Sequence, residues 1–238
     1  MLIKLTPILA TLFLRQTYAF PYPLENTTTP SSSTICNTTT SLCDTNTGSN
    51  STLAGIPLNG CRTVYPSDLS VVNSRYPDYD IDHLHSAKTF FMLRRQMLGD
   101  GEVAVHIQFQ SLPANTTNTT CRLEFILPRL DLQHIQGPNP TFNVYQVEHD
   151  TDAVATWNKY EGNEREDVFG VVNGDPEALE RTRSVGGVAA IGETMCNQTL
   201  TFQMGMAFDS LGEPNYWEFS NVSPPAAPVQ GFRVVWGC

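Results

Sequence analysis

Apolar and polar residues alternate one for one along several stretches of this chain, and a period of two admits little besides half-buried β-strands. Val103, Val105, Ile107 and Phe109 alternate with Ala104, His106, Gln108 and Gln110; Leu200, Phe202, Met204 and Met206 alternate with Thr199, Thr201 and Gln203. The second pattern places its apolar set on one face and turns the Asn197 sequon outward. Cys121, Leu123, Phe125 and Leu127 form a third such face, and Pro128 ends that strand because it cannot donate to a ladder. Further strands are expected over 89–96, 141–149, 167–173, 215–221 and 231–238, the last burying Phe232, Val234 and Trp236. The run 89–96 reaches Val103 through Gly99-Asp100-Gly101, which predicts a hairpin.

One helix interrupts the strands. Asp175 can cap it, Pro176 suits its first position, Glu177 and Glu180 come early, Arg181 and Arg183 late, and Gly186-Gly187 can end it. Residues 153–160 suit a further helical turn. Many short strands spaced by Gly, Pro and Asn in about 180 residues predict a mainly β fold, an antiparallel β-sandwich of jelly-roll type.

The N-terminus argues for a particular compartment. Residues 1–19 carry Lys4, an apolar stretch from Leu5 to Leu14, and small residues at Thr17 and Ala19, which together read as a secretory signal peptide. No later apolar run approaches the length of a membrane span. Six cysteines follow, at 36, 43, 61, 121, 196 and 238, an even number suited to an oxidising compartment. None has zinc-knuckle spacing. The expectation is a local bridge between Cys36 and Cys43, with Cys61, Cys121, Cys196 and Cys238 making two long-range bridges whose pairing the spacing leaves open. Sequons stand at Asn26, Asn37, Asn50, Asn115, Asn118, Asn197 and Asn221, and in a secreted glycoprotein they mark surface positions.

Between Phe20 and Gly60, 16 of 41 residues are Ser or Thr, too few apolar groups to offset chain entropy. This stretch reads as an extended, glycosylated spacer, with the folded domain occupying 61–238. A net charge of −10 repels phosphate backbones and anionic lipid, so nucleic acid is not an expected partner.

Within the domain, Cys61-Arg62-Thr63-Val64-Tyr65-Pro66, Cys121-Arg122-Leu123-Glu124-Phe125 and the closing Gly231-Phe232-Arg233-Val234-Val235-Trp236-Gly237-Cys238 give the chain a resemblance. Residues 61–238 resemble secreted fungal proteins of the But-two C-terminal domain family, named after a protein that binds a ubiquitin-like-modifier activating enzyme. The resemblance implies a β-rich domain of filamentous fungi, secreted or associated with the cell wall. It brings no catalytic signature with it.

Four sets of residues bear on chemistry. Asp78, Asp80, Asp82, His83 and His85 alternate like a calcium loop, but His83 replaces the turn glycine and Thr89 the bidentate Glu, so the cluster reads as solvated turn charges and no metal site is assigned. Ser210 and the Asp131…His134 spacing resemble a lipase box only faintly. Phe208 stands where its glycine belongs, and Ser210 reads as a turn residue. Glu124 and Glu218, both on expected strands, are the candidate pair for a glycosidase, which needs two carboxyls about 5–10 Å apart across a sugar. Trp157, Tyr160, Tyr216 and Trp217 offer flat faces on which sugar rings stack.

No cofactor motif is present. The functional expectation is a non-catalytic extracellular or cell-wall module that binds a glycan or a protein surface through those aromatics. The alternatives are a secreted hydrolase using strand carboxylates and an effector acting on a host protein. Partners are expected among wall polysaccharides or extracellular proteins, and the sequence does not set an oligomeric state.

Overall fold

A computed structural model describes residues 60–79, 88–96, 101–114, 118–148, 154–159 and 167–238. The segment 1–59, with Cys36, Cys43, Asn26, Asn37 and Asn50, lies outside the described residues, as do Asp80–His85, Asn115 and Tyr160. In chain order the strands are β1 (Arg62–Val64), β2 (Asp68–Asn73), β3 (Phe90–Arg95), β4 (Val103–Gln110), β5 (Thr120–Ile126), β6 (Gln133–Gln136), β7 (Phe142–Val147), β8 (Gly170–Val172), β9 (Val188–Met195), β10 (Thr199–Met206), β11 (Asn215–Ser220) and β12 (Gly231–Trp236); α1 spans Pro176–Ser184.

Every strand pairing is antiparallel. A four-stranded sheet runs β1-β12-β5-β9; the larger sheet runs β6-β11-β3-β4-β10-β7-β8, with β2 also paired to β4. The two pack face to face through the apolar positions of the alternation, giving the expected mainly β sandwich. Phe125 on β5 and Phe232 on β12 meet Trp217, Phe219 and Phe91 of the opposite sheet, with Phe91 and Phe219 stacked at 4.5 Å and Phe125 against Trp217 at 5.8 Å. Each ring so buried stabilises by about 1.5–3 kcal/mol. The larger sheet curls: Phe142 on β7 lies 5.3 Å from Trp217 on β11, although β3, β4 and β10 separate those strands in the sheet. That curl draws the two edge strands, β6 and β8, toward each other.

Cys61 is bonded to Cys238 and Cys121 to Cys196, with Cα separations of 4.5 and 5.0 Å. The first bridge joins the start of β1 to the chain end beside β12. The second fastens β5 to the residue that follows β9. Among the described residues no helix is long and apolar enough to cross a membrane.

The helix forms where its caps predict. Asp175 accepts from the backbone of Glu177 at 2.9 Å, Pro176 occupies the first turn, and Leu179 is its one buried side chain. Gly187, with φ +72°, returns its N–H to Thr182 at 2.9 Å. A 3-10 turn at Trp157–Lys159 stands in place of the expected helical turn.

Two expectations are corrected. β3 and β4 are neighbours but meet only at Arg94 and Val103, because β4 spends its length between β2 and β10. The polar side of β4 and β10 does not face solvent either. His106, Gln108, Thr201 and Gln203 are all buried, and Gln203 reaches both His106 at 3.2 Å and the Lys159 carbonyl at 3.0 Å beneath the Trp157 turn. A second layer of packing on an outer face leaves alternation intact while removing its meaning as inside against outside.

Candidate functional site

Where β6 and β8 approach each other, the chain leaves an open groove of about 860 Å³. Its walls come from Ile135 and Gln136 on β6, Val171 on β8, the loop 137–141, the start of α1 and Phe208. Among the described residues no β11 residue lines it, and β6 is the terminal strand on that side of the sheet. Leu130, Val171 and Phe208 are 73%, 53% and 49% exposed, and all three lie in this lining. Apolar side chains gathered at one open concavity mark a contact surface more strongly than the same residues scattered.

Buried polar groups hold the walls in place. Asn215, fully buried at the start of β11, accepts from the Asn139 N–H at 2.9 Å and donates to the Phe208 carbonyl at 2.8 Å. Thr141 Oγ1 lies 2.8 Å from Asn139 Oδ1 and 3.3 Å from Asn173 Oδ1, and Asn173 in turn accepts from the Asp175 N–H that opens α1. One hydrogen-bonded series thus runs from β11 through two loops to the helix. Backbone packing tightens it further. Gly137 has φ +97°, and a Cβ there would fall 2.6 Å from the Pro214 carbonyl; one at Gly174 would fall 2.4 Å from that of Pro140.

The ionisable residues in the lining are Asp175, Glu180 and Arg183. Asp175 is engaged as the helix cap, while Glu180 faces Arg183 at 4.0 Å. Among the described residues of the lining, no nucleophile is paired with a base.

Of the aromatic candidates, Trp157, Tyr216 and Trp217 are described, and these three do not converge. Trp157 packs half-buried against Val72, Ala104 and Ala155 on the outer face of the larger sheet. Tyr216 lies on that sheet's outer face beside His134, ring centroids 5.5 Å apart, and its hydroxyl donates to Glu218. Burial, and then that bond to the carboxylate and the carboxylate's charge, raise the Tyr216 phenol above its ordinary range, opposed by Arg94. Trp217, the next residue along the strand, points the other way into the core and is fully buried, its indole donating to Gln133 at 3.1 Å. Neighbours on a strand cannot share a face, so Tyr216 and Trp217 form no common platform.

The carboxylate pair is also separated. Glu124 and Glu218 alternate with core residues on opposite sheets, so the whole sandwich core lies between them and they cannot flank one bond of a sugar. Glu124 is held by two arginines: Arg233 Nε and Nη2 at 2.8 and 2.7 Å, and Arg122 Nε and Nη2 at 2.8 and 2.6 Å. Ser210 donates to the Glu213 carbonyl at 2.6 Å within a turn, as expected of it. Among the described residues no group of three His, Cys, Asp or Glu could hold a metal ion.

Of the sequons described, Asn118 and Asn197 are exposed. Asn221 is 5% exposed and accepts the Phe232 N–H at 2.7 Å, so the surface position expected there is not the one the fold provides.

The groove itself carries no motif. Its lining is scattered between Leu130 and Phe208, and the one forward signal was the dense Pro and Gly of 137–140 and 173–176 between strands. No protein-family model matches this chain, and no characterised protein shows significant similarity to it.

Proposed function

We propose that the chain is a secreted fungal glycoprotein that works outside the cell or in the cell wall as a non-catalytic binding module, holding its glycan or protein ligand in the groove between β6, β8 and α1. The observation that carries this reading is the groove's composition: exposed Leu130, Val171 and Phe208 on walls braced by buried Asn215. The leader-like N-terminus, the sequons, the resemblance to the But-two C-terminal domain family and the two disulfides support the compartment. Relative to the expected aromatic site, the binding surface moves from Trp157 and Tyr216 to the groove.

The test incubates the full chain with chitin, β-glucan, cellulose, mannan, pectin and a set of extracellular proteins, following retention and release of reducing ends together. Retention without release, lost in Val171→Glu and kept in Trp157→Ala, is the expected result. Sugar release, or retention indifferent to Val171→Glu, contradicts the reading.

A further inference from the structure

Among the described residues, β6 is the terminal strand of the larger sheet and pairs only with β11. At Ile135 and Gln136 it borders the groove described above. An edge strand left open this way is a template for another strand, and natural sheets usually blunt it with a charge, a proline or a covering element. Here apolar side chains share the lining with the edge instead: Leu130 precedes β6, and Val171 and Phe208 line the same groove.

Three features discriminate among occupants. Phe208 is the only aromatic residue in the lining, so no pair of flat rings is available to sandwich a sugar. The edge supplies main-chain hydrogen bonds that a polypeptide can match along its length. The acids are in excess: Asp175 and Glu180 face one base, Arg183, in a chain whose net charge is −10. That field favours a basic segment over an acidic one.

From this we infer that the groove takes an extended, basic segment of another protein, added as a new strand to the open edge of β6, with its apolar side chains against Leu130, Val171 and Phe208. The segment's main chain supplies the affinity, and its alternate side chains supply the specificity. This inference rests on the groove being the binding surface and adds the chemistry of what occupies it.

The probe is a short fluorescent peptide alternating Lys and Val, titrated into the full chain and followed by anisotropy. Two isomers carry N-methyl groups on alternate residues, and a third version replaces each Lys by Glu. A strand added to one edge directs only every second N–H at its neighbour. One methylated isomer should therefore bind about tenfold or more weakly, while the other binds like the parent. The Glu version should bind about tenfold more weakly at low ionic strength, with the gap narrowing in roughly 0.5 M salt. Val171→Asn and Leu130→Asn, which remove apolar contact at exposed positions without adding charge, should weaken the parent peptide by a similar factor.

Equal binding by both methylated isomers, equal binding by the Glu version, or no saturable binding of the parent by about 1 mM overturns the inference. If a polysaccharide is retained in a Val171-dependent way while the peptide is not bound, the groove reading stands and the strand inference falls. If neither ligand responds to loss of the Val171 side chain, both fall.

Discussion

The side-chain amide of Asn215 donates to the Phe208 carbonyl at 2.8 Å while its oxygen accepts from Asn139, so one buried residue on β11 fixes two walls of the groove. Asn215→Ala leaves those backbone groups unpaired and should cost about 1–3 kcal/mol for each one that water does not reach. Urea unfolding of the full chain measures the loss, and ligand retention should fall with it. An Asn215→Ala protein as stable as the parent would show that the walls are held by something else.

Glu124 and Arg233 make the buried ion pair of the smaller sheet, each 5% exposed and directly opposite in the β5–β12 register. Removing one partner strands the other charge, so Glu124→Gln and Arg233→Met should each destabilise by about 3–5 kcal/mol. The double variant Glu124→Leu with Arg233→Met should recover most of that loss, since Arg122 is partly exposed and can turn to water. Full additivity of the two single losses would rule out the coupling.

Tyr216 supplies a pH dependence. Its phenol keeps its proton in the folded chain at pH values where an unfolded tyrosine, with the ordinary value of 10.0, releases one. Folding then binds the proton more tightly than unfolding does. The contribution of this group is fully present below pH 10 and is lost as pH rises above it. Thermal unfolding at a series of alkaline pH values should show that decline, and Tyr216→Phe should flatten it. An unchanged decline in Tyr216→Phe would assign the effect to other groups.

The disulfides predict a definite peptide map. Proteolysis without reduction should yield Cys61 linked to Cys238 and Cys121 linked to Cys196, whatever joins Cys36 and Cys43. Replacing both Cys121 and Cys196 by Ala should cost about 2–5 kcal/mol. A fragment joining Cys61 to Cys121 or Cys196 would contradict the strand order itself.

Much of the fold was legible wherever one face of a strand carried the burden. β4, β5, β10 and β12 show the alternation that burial of Val105, Phe125, Phe202 and Phe232 demands, and the caps of α1 stand out residue by residue. β1, β2, β6 and β9 fall outside the strands that the alternation predicts. β6 is four residues, Gln133-His134-Ile135-Gln136, with one apolar side chain, and the mixed composition of β9 follows from its place at a sheet edge. Tyr216 and Trp217 form no common platform for a local reason: they are adjacent, and adjacency on a strand sends them to opposite faces. The groove was invisible because its lining assembles only when the larger sheet curls, and that curl is a long-range property of Phe142 meeting Trp217.

The most direct test follows backbone amide resonances of the isotopically labelled full chain as the alternating Lys/Val peptide is added. The account predicts shifts concentrated on Ile135–Gly137, Val171 and Phe208, residues that line the groove. Shifts centred on Trp157, His106 and Gln203, or on Tyr216 and Glu218, would place the binding surface on the outer face of the sheet and contradict it.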